Sequence, residues 1–317
     1  MYDKEVVKQH TISQEEIATI TEQVIETKTY GKEPVKNPVC VIVMGQTGSG
    51  KSGLIAHSKK MFPDGNVVVI EDDDIRKFFP NEKQIAKDHP EEHVPITNQL
   101  SRPATQKLFA ALMEAGYNIV FHQTGGNKLI ADDGMMKLVE NGYSIVVNAL
   151  AVSGEKSLAS MIGRGLGQIE YEGYYRPVTI ADHDRTLNGM PNTIKYIEEI
   201  GRFDVIQVFQ RGPQPKNPVM VYSKINPDRP EHVANIASHP EVSAENQPGE
   251  FESAHEALIA TREADRAAFI EQYPEIRESL ISSPYVTPEL AEQTVVLDQR
   301  VGFSPAPVTG PIDSFTE

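Results

Sequence analysis

The segment Gly45-Gln46-Thr47-Gly48-Ser49-Gly50-Lys51-Ser52 decides the fold, because it matches in full the Gly-x-x-x-x-Gly-Lys-Ser pattern of a phosphate-binding loop. It follows the apolar run Val39 to Met44, a predicted strand, and opens a predicted helix, as the motif requires. Backbone N–H groups of such a loop bind phosphates, the lysine reaches the β- and γ-phosphates, and the serine ligates Mg²⁺. The segment therefore predicts a site for ATP and Mg²⁺; a Gly-rich turn that binds nothing is the alternative.

Short β-branched runs alternate with amphipathic stretches around this loop. That alternation is typical of a mostly parallel sheet covered by helices, so we expect an α/β fold, a P-loop kinase-like three-layer sandwich. The predicted strands are Val39 to Met44, Val67 to Ile70, Asn118 to Phe121, Ser144 to Val152 and Asp204 to Phe209, with an edge strand within Pro218 to Lys224. Helices are predicted at Pro103 to Glu114 and Thr193 to Ile200.

Composition shifts divide the chain into four predicted regions. Residues 1–37 form an N-terminal helix and linker, with a capping-box pattern at Ser13 and Glu16 that starts a helix over Thr11 to Thr27. Residues 38–224 form the P-loop kinase-like domain. Residues 225–302 form a helical and irregular C-terminal appendage, with a helix around Phe251 to Ile281, and the Pro-, Ser- and Thr-rich residues 303–317 are expected to lack fixed structure.

The overall charge and the single cysteine limit the possible functions. A net charge of −15 argues against broad binding of nucleic acid or an anionic membrane surface. Cys40, in an apolar run, is expected to be a buried strand residue, and a lone cysteine fits a reducing compartment. We find no signal-peptide pattern and no apolar run of membrane-spanning length, so we expect a cytoplasmic protein; delivery into another cell by a dedicated secretion system stays open.

An acidic cluster, Glu71-Asp72-Asp73-Asp74, follows the second predicted strand. Ligands of open α/β sheets bind at the carboxyl ends of strands, so one carboxylate could accept a proton from a substrate hydroxyl and another could help to hold Mg²⁺. Capping of the next helix is the alternative, since Asp is favoured there. We assign Asp73 as the base and Asp74 as a cap, although spacing barely separates Asp73 from Asp72.

The order of several short motifs resembles the zeta toxin family, which phosphorylates UDP-N-acetylglucosamine. They are the phosphate-binding loop, the acidic strand end, Arg76-x-x-x-Pro80, the strand ending at Thr124, the later arginines and Gln210-Arg211 followed by a Val-Tyr-Ser run. The resemblance covers about Pro38 to Ser223. It implies a P-loop kinase core.

The same resemblance implies roles for single residues. Lys51 and Ser52 would bind ATP and Mg²⁺, with Asp73 also near the metal, and Asp73 would deprotonate the 3′-hydroxyl of the sugar. Arg164 and Arg176 would clamp the triphosphate. Arg164 is expected near a helix end, and the two arginines lie around Gly163 to Gly173, a Gly-rich segment that we expect to be a mobile lid. Solvated surface arginines are the alternative.

Substrate binding is assigned to Glu71, Arg76, His122 and Thr124. The family has Glu-Gly-Thr where this chain has His122-Gln-Thr124, and Gly126 stands where the family has an arginine. The family glutamate helps to bind the sugar, so the acceptor can differ. His122 could bind another group, carry a proton, or simply pack at a strand end. His93 and His183 lie near acids, but we expect them on solvated helix faces rather than at a metal.

These observations predict an ATP-dependent kinase that phosphorylates a hydroxyl of a nucleotide-sugar, with a toxin-like role. Another acceptor such as NAD, or an ATP-binding interaction protein without turnover, is the alternative. A polynucleotide 5′-kinase is disfavoured by the acidic charge. The expected partners are a small-molecule substrate and an antitoxin or inhibitory protein, with no nucleic acid and no membrane. The N-terminal helix could be a tethered inhibitor or a packing helix.

Overall fold

The computed structural model describes residues 2–126, 128, 130–213, 217–237, 239 and 251–304. Its strands are β1 Val39–Met44, β2 Val68–Ile70, β3 Ile119–Gln123, β4 Ser144–Ala151, β5 Val205–Gln210 and β6 Val219–Ile225. Its α-helices are α1 Lys4–Gln9, α2 Gln14–Thr29, α3 Lys51–Ser58, α4 Asp72–Arg76, α5 Glu82–Asp88, α6 His93–Ala115, α7 Met135–Glu140, α8 Gly154–Glu172, α9 Ile180–Ile200, α10 Pro230–Ile236, α11 Ala254–Ile281 and α12 Pro288–Val301.

One six-stranded sheet organises the described residues, in the order β2-β3-β1-β4-β5-β6. β1 pairs in parallel with both β3 and β4, and only β6, at the edge, runs antiparallel to its neighbour β5. This confirms the predicted α/β fold with a mostly parallel sheet. After β1 the chain forms β2 and β3 on one side of β1 and then β4 and β5 on the other side. In such sheets the ligand binds beyond the carboxyl ends of the strands where the strand order reverses.

Every residue of β1 is buried, because helices cover both faces of the sheet. On one face Cys40, Ile42 and Met44 pack in a core with residues of α2, α6, α9 and α11. On the other face Val39, Val41 and Val43 pack with residues of α3 and α10. The prediction that Cys40 is a buried strand residue is confirmed, and burial raises the pKa of its thiol.

The N-terminal helix α2 packs against α6, with Val24 fully buried. Ser13 accepts a hydrogen bond from the Glu16 backbone N–H, and the Glu16 carboxylate accepts one from the Ser13 N–H, so the capping box is present. At the other end of α2, Lys28 pairs with Asp74 of the acidic cluster. α2 is therefore a packing helix that reaches the predicted site.

The C-terminal region is helical, and part of it belongs to the main core. Ala254, Ala257 and Leu258 of α11 are buried against the sheet and α9, while α12 packs with α8 and α11 in a third apolar cluster. The four-region division of the chain stays a prediction. Residues 305–317 of the predicted tail lie outside the described residues.

Helix α8 differs in two respects from what the sequence predicts. Arg164 does not lie near a helix end, because α8 continues to Glu172 and ends with Gly173 in the left-handed conformation. A Cβ on Gly165 would lie 3.0 Å from Leu290 of α12, so this glycine allows close helix packing instead of breaking the helix. Most of the segment predicted to be a lid is thus helical.

Among the helices of the described residues, none is both long and apolar enough to cross a membrane.

Candidate active site

A cleft of about 760 Å³ opens at the carboxyl ends of β1, β2 and β3. It brings together most of the site residues predicted from the sequence: Thr47, Gly48, Gly50, Lys51, Ser52, Glu71, Asp73, Arg76, His122, Thr124, Arg164 and Arg176. Gly45, Gln46 and Ser49 of the loop lie buried beneath it. Asp72 and Arg211 also line the cleft. Residues that follow β1, β2, β3 and β5, together with α8 and the segment after it, therefore share one cavity.

The phosphate-binding loop has a backbone that only glycine suits at Gly48. Its φ is +78°, and a Cβ there would lie 2.0 Å from the Ser157 carbonyl oxygen, so the loop lies directly on α8. Gly50, at φ +90°, is the N-cap of α3 and provides no side chain to cap it. The first N–H groups of α3 therefore remain available for an anion.

The surroundings of Lys51 and Ser49 indicate whether the loop can bind a phosphate group. The Lys51 ammonium donates to the Gln46 carbonyl oxygen at 2.8 Å. Burial, and next the charge of Arg164, lower the pKa of Lys51 to about 7. The buried Ser49 hydroxyl has no hydrogen-bond partner among the described residues. Phosphate oxygens would balance the positive charge of Lys51 and would accept a hydrogen bond from the Ser49 hydroxyl. The residues of the loop therefore fit the predicted nucleotide.

Asp73 lies in the cleft among arginines. Arg176 donates to its two oxygens at 2.9 and 2.7 Å, and Arg76 Nε donates to Oδ1 at 3.3 Å. Desolvation of the half-exposed Asp73 carboxyl opposes its ionisation, but the charge and hydrogen bonds of Arg176, with the charges of Arg76 and Arg164, outweigh that effect and lower the pKa of Asp73 to about 2. Arg164 adds a further positive charge nearby. Asp73 is therefore a carboxylate at neutral pH, held by the arginines predicted to bind phosphates.

The other acids of the cluster have different surroundings. Asp72 accepts a hydrogen bond from the Thr105 hydroxyl at 2.6 Å. Asp74 accepts from Lys28 at 3.2 Å and from Lys77 at 2.7 Å. The expectation that Asp74 is the helix cap is wrong, because Glu71 occupies the N-cap position of α4. Asp74 lies in the first turn of that helix, and its oxygens accept hydrogen bonds from Lys28 and Lys77.

His122 is a neutral side chain in this cleft. Its Nδ1 lies 3.9 Å from a Glu71 carboxylate oxygen, and its Nε2 is buried without a hydrogen-bond partner among the described residues. Burial, and next the charge of Lys51, lower the pKa of His122 to about 3. Burial, and next Asp74, raise the pKa of Glu71. A neutral imidazole ring therefore lies beside the Glu71 carboxyl.

Two arginines that hold the loop had no role assigned from the sequence. Arg211 Nη2 donates to the Gly48 carbonyl oxygen at 2.8 Å and its Nε to that of Ser49 at 3.2 Å. Arg262 of α11 donates to the Gln46 side-chain oxygen at 2.9 Å. The position of Arg211 directly after β5 was a usable signal, since strand ends meet at the site. Arg262 gave no such signal, because it lies within a long amphipathic helix far along the chain.

The expectation that His93 and His183 lie on solvated helix faces is wrong, because both are buried. His93 Nε2 lies 2.7 Å from Glu82. His183 Nε2 lies 2.8 Å from the Ser157 hydroxyl and its Nδ1 lies 3.0 Å from Asp184. Both ring nitrogens of His183 have partners, whereas Nδ1 of the buried His93 has no hydrogen-bond partner among the described residues, and no group of metal-ligating side chains occurs within the described ranges.

The zeta toxin family model matches residues 21–224 of the chain. Toxin PezT of Streptococcus pneumoniae serotype 4 is 25% identical over 194 residues, which cover 59% of this chain and 74% of that toxin. Toxin zeta of Enterococcus hirae is 27% identical over 197 residues, which cover 59% of this chain and 65%, less than two thirds, of that toxin.

A solved structure from the characterisation of the PezAT chromosomal toxin–antitoxin system of Streptococcus pneumoniae superposes with a TM-score of 0.62. It is 19% identical, and the superposition covers 92% of this chain and 98% of that chain, so the two share a fold. The family match extends over more than half of the chain. It includes the phosphate-binding loop, the acidic cluster and the four residues predicted to act in catalysis, which are Lys51, Asp73, Arg164 and Arg176. The chain belongs to the zeta toxin family.

Proposed function

We propose that this protein is an ATP- and Mg²⁺-dependent small-molecule kinase that phosphorylates a hydroxyl group of a nucleotide-sugar such as UDP-N-acetylglucosamine. One observation carries the proposal: Lys51 and Asp73 face the same cleft, with Arg76, Arg164 and Arg176 around them. A phosphate anchor, a carboxylate base and several cations in one cavity are what phosphoryl transfer requires.

The loop would hold the donor nucleotide. Its N–H groups and Lys51 would bind the β- and γ-phosphates, and Ser52 with Asp73 would hold Mg²⁺, which supplies neutralisation of charge on the phosphates. Arg164 and Arg176 would stabilise the negative charge on the equatorial oxygens of the transferred group.

Asp73 would act as the general base. The acceptor hydroxyl gives its proton to the Asp73 carboxylate, its oxygen forms a bond to the γ-phosphorus, and the bond from that phosphorus to the β–γ bridging oxygen breaks, leaving ADP. While Arg176 holds Asp73, the low pKa of the carboxylate makes it a weak base. Movement of Arg176 to the incoming phosphates would release the Asp73 carboxylate for the acceptor hydroxyl and Mg²⁺.

The acceptor would lie beside Glu71, His122, Thr124 and Arg76, on the β2–β3 side of the cleft. A neutral His122 offers a hydrogen bond to a hydroxyl or amide where the family offers a carboxylate. This difference favours testing a second acceptor class, NAD, because it too carries ribose hydroxyls.

A toxin-like role with an antitoxin partner follows from the relatives. Both curated relatives are named toxins, and the PezAT system is described as a toxin–antitoxin system. We extend this to the present chain: an inhibitory protein would cover the cleft, and the kinase would act in the cytoplasm, where ATP is abundant. An interaction protein that binds ATP without turnover is the competing function.

The test is mass-spectrometric detection of a product that gains one phosphate when the protein, ATP and Mg²⁺ meet UDP-N-acetylglucosamine or NAD in separate reactions. The matched control is Lys51→Ala. Product from the nucleotide-sugar supports the proposal as stated, and product from NAD alone supports the second acceptor class. ATP binding without product from either substrate would contradict both acceptors.

A further inference from the structure

We propose that a groove between α8 and α11 binds the nucleobase of the donor nucleotide, and that this base is adenine. This inference rests on the proposed function, since it names where the nucleoside end of that donor lies. The groove has a volume of about 260 Å³ and is lined by Lys156, Ala159, Ser160, Arg211, Ala268, Phe269, Gln272 and Ile276.

The strand order places this groove on the donor side of the loop. The acceptor candidates follow β2 and β3, on one side of β1. The groove is formed by α8, which follows β4, and by Arg211, which follows β5, on the other side of β1. A triphosphate that lies across the loop with its γ-phosphate toward Asp73 therefore directs its nucleoside toward β4 and β5.

The groove continues into the phosphate cleft. Ser160 and Arg211 line both cavities. Arg211 Nη1 donates to the Ser160 hydroxyl at 3.0 Å, while its Nε and Nη2 donate to the loop carbonyls of Ser49 and Gly48. The guanidinium thus lies at the junction, where one face of this planar group can stack on a base.

The lining suits a flat heterocycle with a polar edge. Ala159, Phe269 and Ile276 provide apolar walls, and Phe269 is 3% exposed. Gln272 carries both an amide donor and a carbonyl acceptor, a pair that matches the adenine amino group and its neighbouring ring nitrogen. The volume lies below the roughly 300 Å³ at which pockets for whole drug-sized ligands begin, so the groove suits a base and not an entire nucleotide.

The groove is preformed, because ion pairs fix α11 on the start of α8. Asp265 accepts from the Lys156 ammonium at 2.6 Å and from the Ser153 N–H at 2.8 Å. Arg266 Nε donates to Glu155 at 2.7 Å. These α11 residues lie beyond residue 224, where the family match ends, so the outer wall of the groove comes from the C-terminal region of the chain.

The experiment fills the groove and compares two anions. Calorimetry measures the dissociation constants of Mg²⁺-ATP and of Mg²⁺-tripolyphosphate for the wild type, Lys51→Ala, Ala268→Trp and the control Ala267→Trp. Ala267 is exposed on the same helix and does not line the groove. We expect Ala268→Trp to weaken ATP binding at least tenfold and to leave tripolyphosphate binding unchanged, and Ala267→Trp to change neither.

Gln272→Ala gives a second readout that does not depend on a bulky substitution. It should reduce the preference of the protein for ATP over GTP, because guanine presents acceptors where adenine presents a donor and an acceptor. Unchanged ATP binding in Ala268→Trp together with an unchanged ATP/GTP ratio in Gln272→Ala, while Lys51→Ala still abolishes binding of both anions, would overturn this inference and leave the proposed function standing. A wild type that binds neither anion would overturn both.

Discussion

Arg176 and Asp73 form a two-pronged ion pair across the cleft, with Nη1–Oδ1 at 2.9 Å and Nη2–Oδ2 at 2.7 Å. The pair joins the proposed phosphate clamp to the proposed base. Together with the charges of Arg76 and Arg164, it lowers the pKa of the Asp73 carboxyl to about 2, against the opposing effect of partial desolvation. The same contact therefore makes the base weak until another anion attracts Arg176.

Replacing Arg176 by Gln should raise the pKa of Asp73 from about 2 toward the ordinary aspartate value of about 3.9, because the largest pKa-lowering charge is removed while the charges of Arg76 and Arg164 remain. Carbon-13 NMR titration of labelled aspartate carboxyls measures this, with the Asp73 signal assigned by its loss in Asp73→Asn. Arg185→Gln, at an exposed arginine on α9, is the matched control. An Asp73 signal that titrates as in the wild type would contradict the assigned cause.

Asp73→Asn should lower kcat by about 10²- to 10⁴-fold, the usual contribution of a general base. Asp72→Asn should lower it less than about tenfold, because Asp72 accepts a hydrogen bond from Thr105 and an amide oxygen can still accept it. Steady-state kinetics on the two variants, with ATP affinity measured separately, decides between them. Equal losses, or a larger loss in Asp72→Asn, would reassign the base.

ATP affinity should fall as pH rises above 7. The pKa of Lys51 is about 7 in the free protein, and bound phosphates raise it, so binding takes up a proton above pH 7. The contribution of the charged lysine is fully present below pH 7 and is lost by up to about tenfold per pH unit above it, until the pKa of the bound state is reached. Calorimetry between pH 7 and 9 tests this, above the second phosphate pKa of about 6.

Lys51→Arg is the control for that titration, because arginine stays charged over the whole range. Its ATP affinity should be weaker but independent of pH. A wild-type affinity that is equally flat would show that the lysine is fully charged in the free protein.

Arg262→Met should weaken ATP binding by about tenfold and lower thermal stability. It leaves the Gln46 side-chain oxygen and the Leu187 carbonyl without their donor at 2.9 and 3.0 Å, and a buried unsatisfied group costs about 1–3 kcal/mol. Arg185→Met on α9 removes an exposed pair with Asp182 and should change stability by no more than about 1 kcal/mol. Calorimetry and thermal melts compare the two; equal effects would deny Arg262 its positioning role.

The strands and much of the site could be predicted because their signals are local. An apolar run followed by a complete phosphate-binding motif fixes β1 and α3, and polar residues at the carboxyl ends of neighbouring parallel strands must meet. Asp73, His122 and Thr124 are in the cleft for this reason.

The remaining features depend on packing between distant parts of the chain. Arg262 is 216 positions from Gln46, and its helix pattern does not reveal what its head group contacts. The glycines between Gly163 and Gly173 suggest a flexible segment, yet most of this segment is helical. Gly165 instead allows Leu290 of α12 to pack closely against the helix. His183 is buried because Ser157 and Asp184 bind both of its ring nitrogens, a pairing that sequence spacing does not show.

The most direct test of a small-molecule kinase does not require the acceptor to be known. The protein is incubated with ATP labelled at the γ-phosphate, Mg²⁺ and a protein-free extract of cellular metabolites, and label in compounds other than ATP and inorganic phosphate is measured for the wild type, Lys51→Ala and Asp73→Asn. We expect a labelled small molecule that the wild type makes, that Lys51→Ala does not make, and that Asp73→Asn makes at least about a hundredfold more slowly. Tight ATP binding by the wild type with no labelled product would contradict a small-molecule kinase activity.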